Sequence, residues 1–447
     1  MKRLLIIFLI IIFNCSCNND SINEELQEMV LEDDNTFEEE EEEEEEITQS
    51  INPNPIGNIA GTIETFNKDL IDDNYILIND AGNNFVYLMN KNAEVLHQWN
   101  LNGGNLGNDC ELLPNGQLLT MTESEDPKIQ LGGTGGKIQL LDKFGNIDWS
   151  YVYSTENEVL HHDAEMLPNG NIIILTWERR TAEEANSFGY KMDIELFPDG
   201  IIEVNPNSNE IEWQWHMWDH TIQDFDNTKG NYGIVSQNPQ LIDINYTQLE
   251  SGDITHANGI AYDPIKDLIY VSVNFYSEVW VIDHSTTVLE SSSHSGGNYN
   301  IGGDLVYRFG NPSAYKNNVG DRLFNNNHYP NLLADGNFEN ILIFSNGSDL
   351  NQSIVYELKL PTNLILEPNI DNEPEIIWQF TDPDLYAPRV SGAVKLPNDN
   401  ILITEGDFGL WEVTKDKEVV WKFTGDGFYW RGYSFSKNDP TILDLLQ

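Results

Sequence analysis

From about Ile51 to its end the chain is written as short apolar runs broken by clusters of Gly, Asn, Asp and Pro. Runs of β-branched and aromatic residues bounded by turn formers specify strands, and no stretch sustains a helical period, so the expected class is all-β. The runs follow a repeating order. A strand leads to a Pro-Asn-Gly-type turn, then comes a strongly apolar strand such as Asn171-Ile172-Ile173-Ile174-Leu175, a third such as Val279-Trp280-Val281-Ile282-Asp283, and a fourth that closes on an aromatic. The closing aromatics are Trp99, Trp149, Trp213, Tyr307, Trp378 and Trp421. Six four-stranded units predict a six-bladed β-propeller, because one blade buries a face on each neighbour and cannot stand alone. A pair of lectin-like sandwiches is the runner-up, disfavoured by the uniformity of the repeat. Two polar insertions, Trp215 to Thr255 and Ser291 to Gly303, read as loops of a functional face. The Trp177–Gly200 segment does not register with the other units.

One position of the repeat carries chemistry. His162 stands eight residues before the turn glycine Gly170, and His328 eight before Gly336; His256 stands seven before Asp263, as His162 stands seven before Asn169. Read round the chain, the position holds Asn108, His162, His256, His328 and Ser391. Innermost propeller strands face the central channel, so these polar side chains are expected to ring one mouth of it. A buried polar ring without partners is costly, which points to water or a ligand there.

Ahead of this body, Met1-Lys2-Arg3 precedes an apolar run from Leu4 to Phe13 and then Asn14-Cys15-Ser16-Cys17. The run is too short to span a bilayer and reads as a secretory signal, residues 1–17. Cys17 after the small Ser16 is the expected lipidation site, in preference to Cys15, with plain secretion as the alternative. The expected location is an outer-membrane or cell-surface lipoprotein on its lipid anchor, and otherwise the periplasm. Residues 18–50, with nine consecutive glutamates at Glu38–Glu46, read as an acidic disordered tether, leaving 51–447 for the propeller. Only Cys110 remains in that part, so no intrachain disulfide is expected. The net charge is −51 over the whole chain. Such a balance excludes nucleic acid as a natural partner, and an anionic substrate must be drawn in by local groups.

The chain resembles the bacterial arylsulfate sulfotransferase family from about Asn74 to Phe423. The resemblance is carried by His161-His162-Asp163 with Leu167-Pro168-Asn169-Gly170, by His256-Ala257-Asn258 running to Glu278-Val279-Trp280-Val281-Ile282-Asp283, by Gly303-Asp304-Leu305-Val306-Tyr307-Arg308-Phe309-Gly310-Asn311-Pro312, and by Asn340-Ile341-Leu342-Ile343-Phe344-Ser345-Asn346-Gly347. It implies an exported six-bladed propeller that moves a sulfuryl group from a phenolic sulfate ester to a phenolic acceptor, without a nucleotide donor or other cofactor. The sulfated histidine of that family falls on His328, with His162 and His256 holding sulfate oxygens or protonating the leaving oxygen. Such a transfer needs a nucleophile, a proton donor and groups that meet developing negative charge, all of which imidazoles supply.

Where the family carries an arginine, this chain has Asn274. A lost charge-assisted contact of that kind costs about 3 kcal/mol at a transition state. Arg389, two residues before Ser391, is the expected replacement, pointing inward by strand alternation. Arg308 and Asp163 read as structural. The alternative function is a non-catalytic surface propeller that binds an anionic or glycan ligand at the channel mouth. Three imidazoles suffice for zinc, but no carboxylate or thiolate accompanies them at metal-ligand spacing, so no metal is expected at this ring.

Overall fold

A computed structural model describes residues 56–447 except 100, 102, 103 and 335; the leader, Cys17 and the acidic tether lie outside the described residues. The body is a six-bladed β-propeller of four-stranded antiparallel sheets. The innermost strands are Leu106–Leu112, Glu158–Met166, Ala257–Asp263, Asn327–Leu332, Gly392–Lys395 and Tyr429–Phe435. Each is joined to its neighbour by a tight turn where the sequence allows one. Leu167 N donates to Asn171 O at 2.8 Å, and Gly170 takes φ +87°, a conformation that suits glycine.

Second strands lie between blades and are buried along their length, as Ile172–Glu178 is, which explains their unbroken apolar runs. Outer strands alternate exposed and half-buried residues, as Ile147–Val152 does. All six closing aromatics stand on these outer strands. The Trp177–Gly200 segment is no separate unit. It leaves the second strand of one blade, forms a short helix at Ala182–Ser187 capped by Thr181, and enters the third strand at Asp199.

The ring closes in a way the repeat did not reveal. The C-terminal strand Tyr429–Phe435 is the inner strand of the first blade, antiparallel to Tyr75–Asp80, and the N-terminal Thr62–Phe66 adds a fifth, outer strand to the last blade.

The inner strands are interrupted by bulges where they pass the channel mouth. Leu160 pairs with Thr176 and Ala164 with Ile174, so His161, His162 and Asp163 together oppose Leu175 alone. Similar slips occur at His328/Asn331, Ala257/Gly259 and opposite Asn79. His162 and His256 take φ +53° and +55°, and Tyr329 +57°. Left-handed backbone at a non-glycine residue stores about 1–3 kcal/mol of strain, and the bulges hold it next to the histidines.

Candidate functional site

The three histidines of the repeated position come together. The rings of His162 and His256 meet edge to face with centroids 4.7 Å apart, and His328 is close enough to both for their charges to interact. Phe275 stacks on His256 at 4.7 Å, and Trp430 meets His162 at 5.8 Å. Each imidazole spends Nδ1 on the protein. His328 Nδ1 lies 2.6 Å from Asn346 Oδ1, His256 Nδ1 2.5 Å from Asp253 Oδ2, and His162 Nδ1 2.9 Å from His161 Nδ1. Among the described residues none takes a hydrogen bond from, or gives one to, Nε2 of the three.

The partners fix which nitrogen carries the proton. The Asn346 amide nitrogen donates to Ala387 O at 2.9 Å and Val390 O at 3.2 Å, so its oxygen faces His328 and accepts from Nδ1–H. His328 therefore presents a lone pair at Nε2. Burial, reinforced by the positive charges of His256 and Arg431, pushes its pKa down to about 3 against the pull of Asn346. His256 is set the other way. Burial opposes its charge, but the Asp253 carboxylate overcomes that by attraction and hydrogen bonding, with Asp199 adding to it, and its pKa is raised. His256 carries Nδ1–H toward Asp253 and, when charged, Nε2–H toward the site. Burial and the neighbouring imidazoles hold His162 well below its ordinary value. His161 Nε2 lies 3.0 Å from Asp199 Oδ1 without hydrogen-bond alignment, and His161 stacks on Trp177 at 3.9 Å; one of the two facing Nδ1 atoms carries the proton of the His161–His162 contact.

A glycine-rich loop lies over this cluster. Gly133 has φ +92°, and a Cβ there would sit 2.2 Å from His162 Cε1. Its carbonyl accepts from His162 N at 3.2 Å.

The remaining positions read from the sequence take different places. Asn274 is buried beside His328, its Nδ2 3.5 Å from His328 Nδ1, and is tied to its surroundings: Nδ2 donates to Asn327 O at 3.2 Å and Oδ1 accepts from Asn326 at 2.8 Å. Ser391 is buried with its hydroxyl closed on Gly406 N and Arg389 O. Arg389 does not point inward. Its side chain is 64% exposed, pairs with Asp407 at 3.0 Å and lies over the Phe428 ring at 4.5 Å. Strand alternation fails there because the inner strand begins only at Gly392 and Val390 and Ser391 have positive φ. Asn108 has its backbone in the first of the six inner strands; its side chain is outside the described residues. Arg308 is fully buried against Glu278 and also donates to Leu241 O at 3.0 Å, a structural placement. Asp163 points away from the imidazoles, accepting from Ile260 N at 2.9 Å and pairing with Arg431.

Arg431 is the cation the sequence reading missed. Its guanidinium lies buried in the channel, 4.1 Å over the Tyr329 ring, donating to Asp163 at 2.9 Å, to Asn258 O at 2.9 Å and to Asp109. Below the histidines these groups line a channel cavity of about 170 Å³ with Glu111, Glu165 and Tyr433. The missed positioning groups, Asn346, Asp253 and Arg431, lie outside the repeated position, so no periodic signal marked them.

The fold is thus a six-bladed propeller whose inner strands gather three imidazoles at one place. Residues 62–426 match the model of the Arylsulfotransferase (ASST) family, and the chain belongs to that family. No curated protein matches it. Similar solved structures include a protein of unknown function from Bacteroides caccae, 14% identical, covering 81% of this chain and 99% of the other with a TM-score of 0.48. A putative 6-phosphogluconolactonase from Bacteroides fragilis is 10% identical, with coverages of 82% and 99% and a TM-score of 0.43.

Proposed function

We propose that this protein transfers a sulfuryl group from a phenolic sulfate ester to a phenolic acceptor through a sulfated His328. Membership of the family supports sulfotransferase-like chemistry. The observation that carries the finer reading is the shared arrangement of the three imidazoles, Nδ1 held by the protein and Nε2 left to the site, with His328 neutral and His256 inclined to hold its proton. Paired titratable groups driven apart in this way mark a nucleophile and an acid.

In the first step the His328 Nε2 lone pair attacks sulfur and the sulfur–oxygen bond to the phenol breaks. The departing oxygen takes the proton from His256 Nε2. His328 keeps Nδ1–H on Asn346, so the sulfated ring bears a positive charge and is a good leaving group. In the second step an acceptor hydroxyl, oriented by His162 Nε2, attacks sulfur while its proton passes to His256. The nitrogen–sulfur bond breaks and the lone pair returns to His328. Asp253 keeps His256 able to act in both directions. The leader and Cys17 support placing this activity outside the cytoplasm on a lipid anchor.

The test is intact-mass measurement after incubation with an aryl sulfate and no acceptor. One sulfuryl adduct is expected, mapping to His328, absent in His328→Ala, whose turnover falls about 10⁴-fold or more. Turnover surviving in His328→Ala would overturn the mechanism. A second reading, a binding propeller without catalysis, draws on Asn274 and on Arg431 being neutralised by Asp109 and Asp163. It is favoured if an aryl sulfate raises the melting temperature and leaves no adduct.

A further inference from the structure

The two polar insertions of the sequence meet outside the channel-lining strands. The first forms a 3₁₀ turn at Met217–His220 and a short parallel pair, Thr221–Ile222 with Ile242–Asp243. The second carries His294 and ends beside Asp304. His220 is fully buried, and its Nε2 lies 2.8 Å from Ser291 O. A carbonyl only accepts, so Nε2 holds a proton, and Nδ1 is the nitrogen turned toward Asp304. That nitrogen lies 2.8 Å from Asp304 Oδ1, and the same oxygen lies 2.7 Å from His294 Nδ1. The three atoms, from two chain segments, all lie within 4.8 Å of one another. Two imidazole nitrogens that converge on one buried carboxylate oxygen need a cation between them, protons or a metal ion.

We propose that His220, Asp304 and His294 form a divalent transition-metal site, for which Zn²⁺ is the best match, with water as the fourth ligand. Two imidazole nitrogens and one carboxylate oxygen are a zinc ligand set. The supporting groups are those a metal-bound histidine uses: Ser291 O holds the distal N–H of His220, and the Trp215 ring lies parallel to it with centroids 5.6 Å apart. Trp215 Nε1 donates to Gly303 O at 2.7 Å, next to the ligand Asp304. Gly303 makes the approach possible, since a Cβ there would sit 2.5 Å from His220 Nε2 and 2.0 Å from Ser291 O. Bonds of ~2.05 Å in a tetrahedron set ligand atoms ~3.3 Å apart, so the observed pairs must open by about 0.5 Å. His294, 62% exposed, has the freedom to swing by that amount. Water reaches it from a cavity of about 470 Å³ that His294 lines with Asp219, Thr221 and Tyr232. The metal clips one insertion to the other and fixes a wall of that cavity.

The experiment uses the full-length purified protein, stripped with a chelator and titrated with Zn²⁺ by calorimetry, with melting temperature read in parallel. One equivalent is expected to bind and raise the melting temperature, and Co²⁺ to give visible absorption of tetrahedral character. His294→Ala, at an exposed position that leaves the core intact, is expected to weaken binding at least about 10-fold. Asp304→Asn is expected to do the same, while His162→Ala leaves binding unchanged. Absence of stoichiometric binding, or binding that His294→Ala does not alter, would overturn the site in favour of a metal-free His220–Asp304 ion pair.

Discussion

The two levels of the central channel are built from the same inner strands and have opposite chemistry. At the mouth stand His162, His328 and Trp430; one residue further along each of those strands, Asp163, Tyr329 and Arg431 line the cavity beneath. The bulges split adjacent residues between the two levels. Among the described residues the mouth leaves the Nε2 atoms of its imidazoles without hydrogen-bond partners, and it tolerates left-handed backbone at His162 and His256. The lower level pairs its guanidinium with two carboxylates and caps it with a tyrosine ring. Reactivity is thus placed at the level of the imidazoles, and the level beneath is held by the pairing of Arg431 with Asp109 and Asp163.

The largest effect comes from breaking the lower level. Arg431→Met leaves Asp109 and Asp163 buried without their cation and is expected to lower stability by about 3–5 kcal/mol in chemical denaturation. A loss under 1 kcal/mol would show that the carboxylates simply take up protons. The mouth breaks differently. Gly133→Ala forces strain at φ +92° and drives a methyl into His162, so turnover is expected to fall about 10²-fold with the melting temperature nearly unchanged.

A subtler change sharpens the acid assignment. His256 acts as acid below its raised pKa, so the rate falls as pH rises through that value; Asp253→Asn removes the attraction that raises it and moves the alkaline limb of the pH–rate profile to lower pH. An unmoved limb would assign the proton to another group.

The smallest effect belongs to Glu111. Burial, with Asp109 and Asp163 nearby, pushes its pKa up to about 7, and burial takes Asp163 to about 6. The folded protein holds these protons where the unfolded chain has lost them, so their stabilisation is complete below the ordinary carboxylate range and is lost as pH rises toward 7. Glu111→Gln is expected to flatten the fall in melting temperature between pH 4.5 and 7.

The blades were legible because their cause is local: a turn such as Pro168-Asn169-Gly170 and an apolar strand buried between neighbours write themselves in adjacent residues. The histidine ring was legible because the repeat keeps its register. The inner strand of the first blade was not, since Tyr429–Phe435 has no hairpin partner beside it in sequence and pairs with a segment at the other end of the chain. The same holds for Arg389, whose inward course assumed an alternation that positive φ at Val390 and Ser391 abolishes. Asn346 and Asp253 set the tautomers of His328 and His256 from second-strand ends and loops, where no periodicity operates.

The closing strand also has a consequence for biogenesis. Arg431 N donates to Asn79 Oδ1 across a sequence separation of 352 residues, and the strand that carries it follows all the other blade strands in the chain. Without that strand the channel is not assembled: the Tyr75–Asp80 edge stays open, and Asp109 and Asp163 beneath the histidines lack their counter-ion. Truncated chains therefore expose an unpaired edge, the feature that invites aggregation and proteolysis. One strand thus does two things at once: it seals the sheet of the first blade and brings the guanidinium that pairs with Asp109 and Asp163.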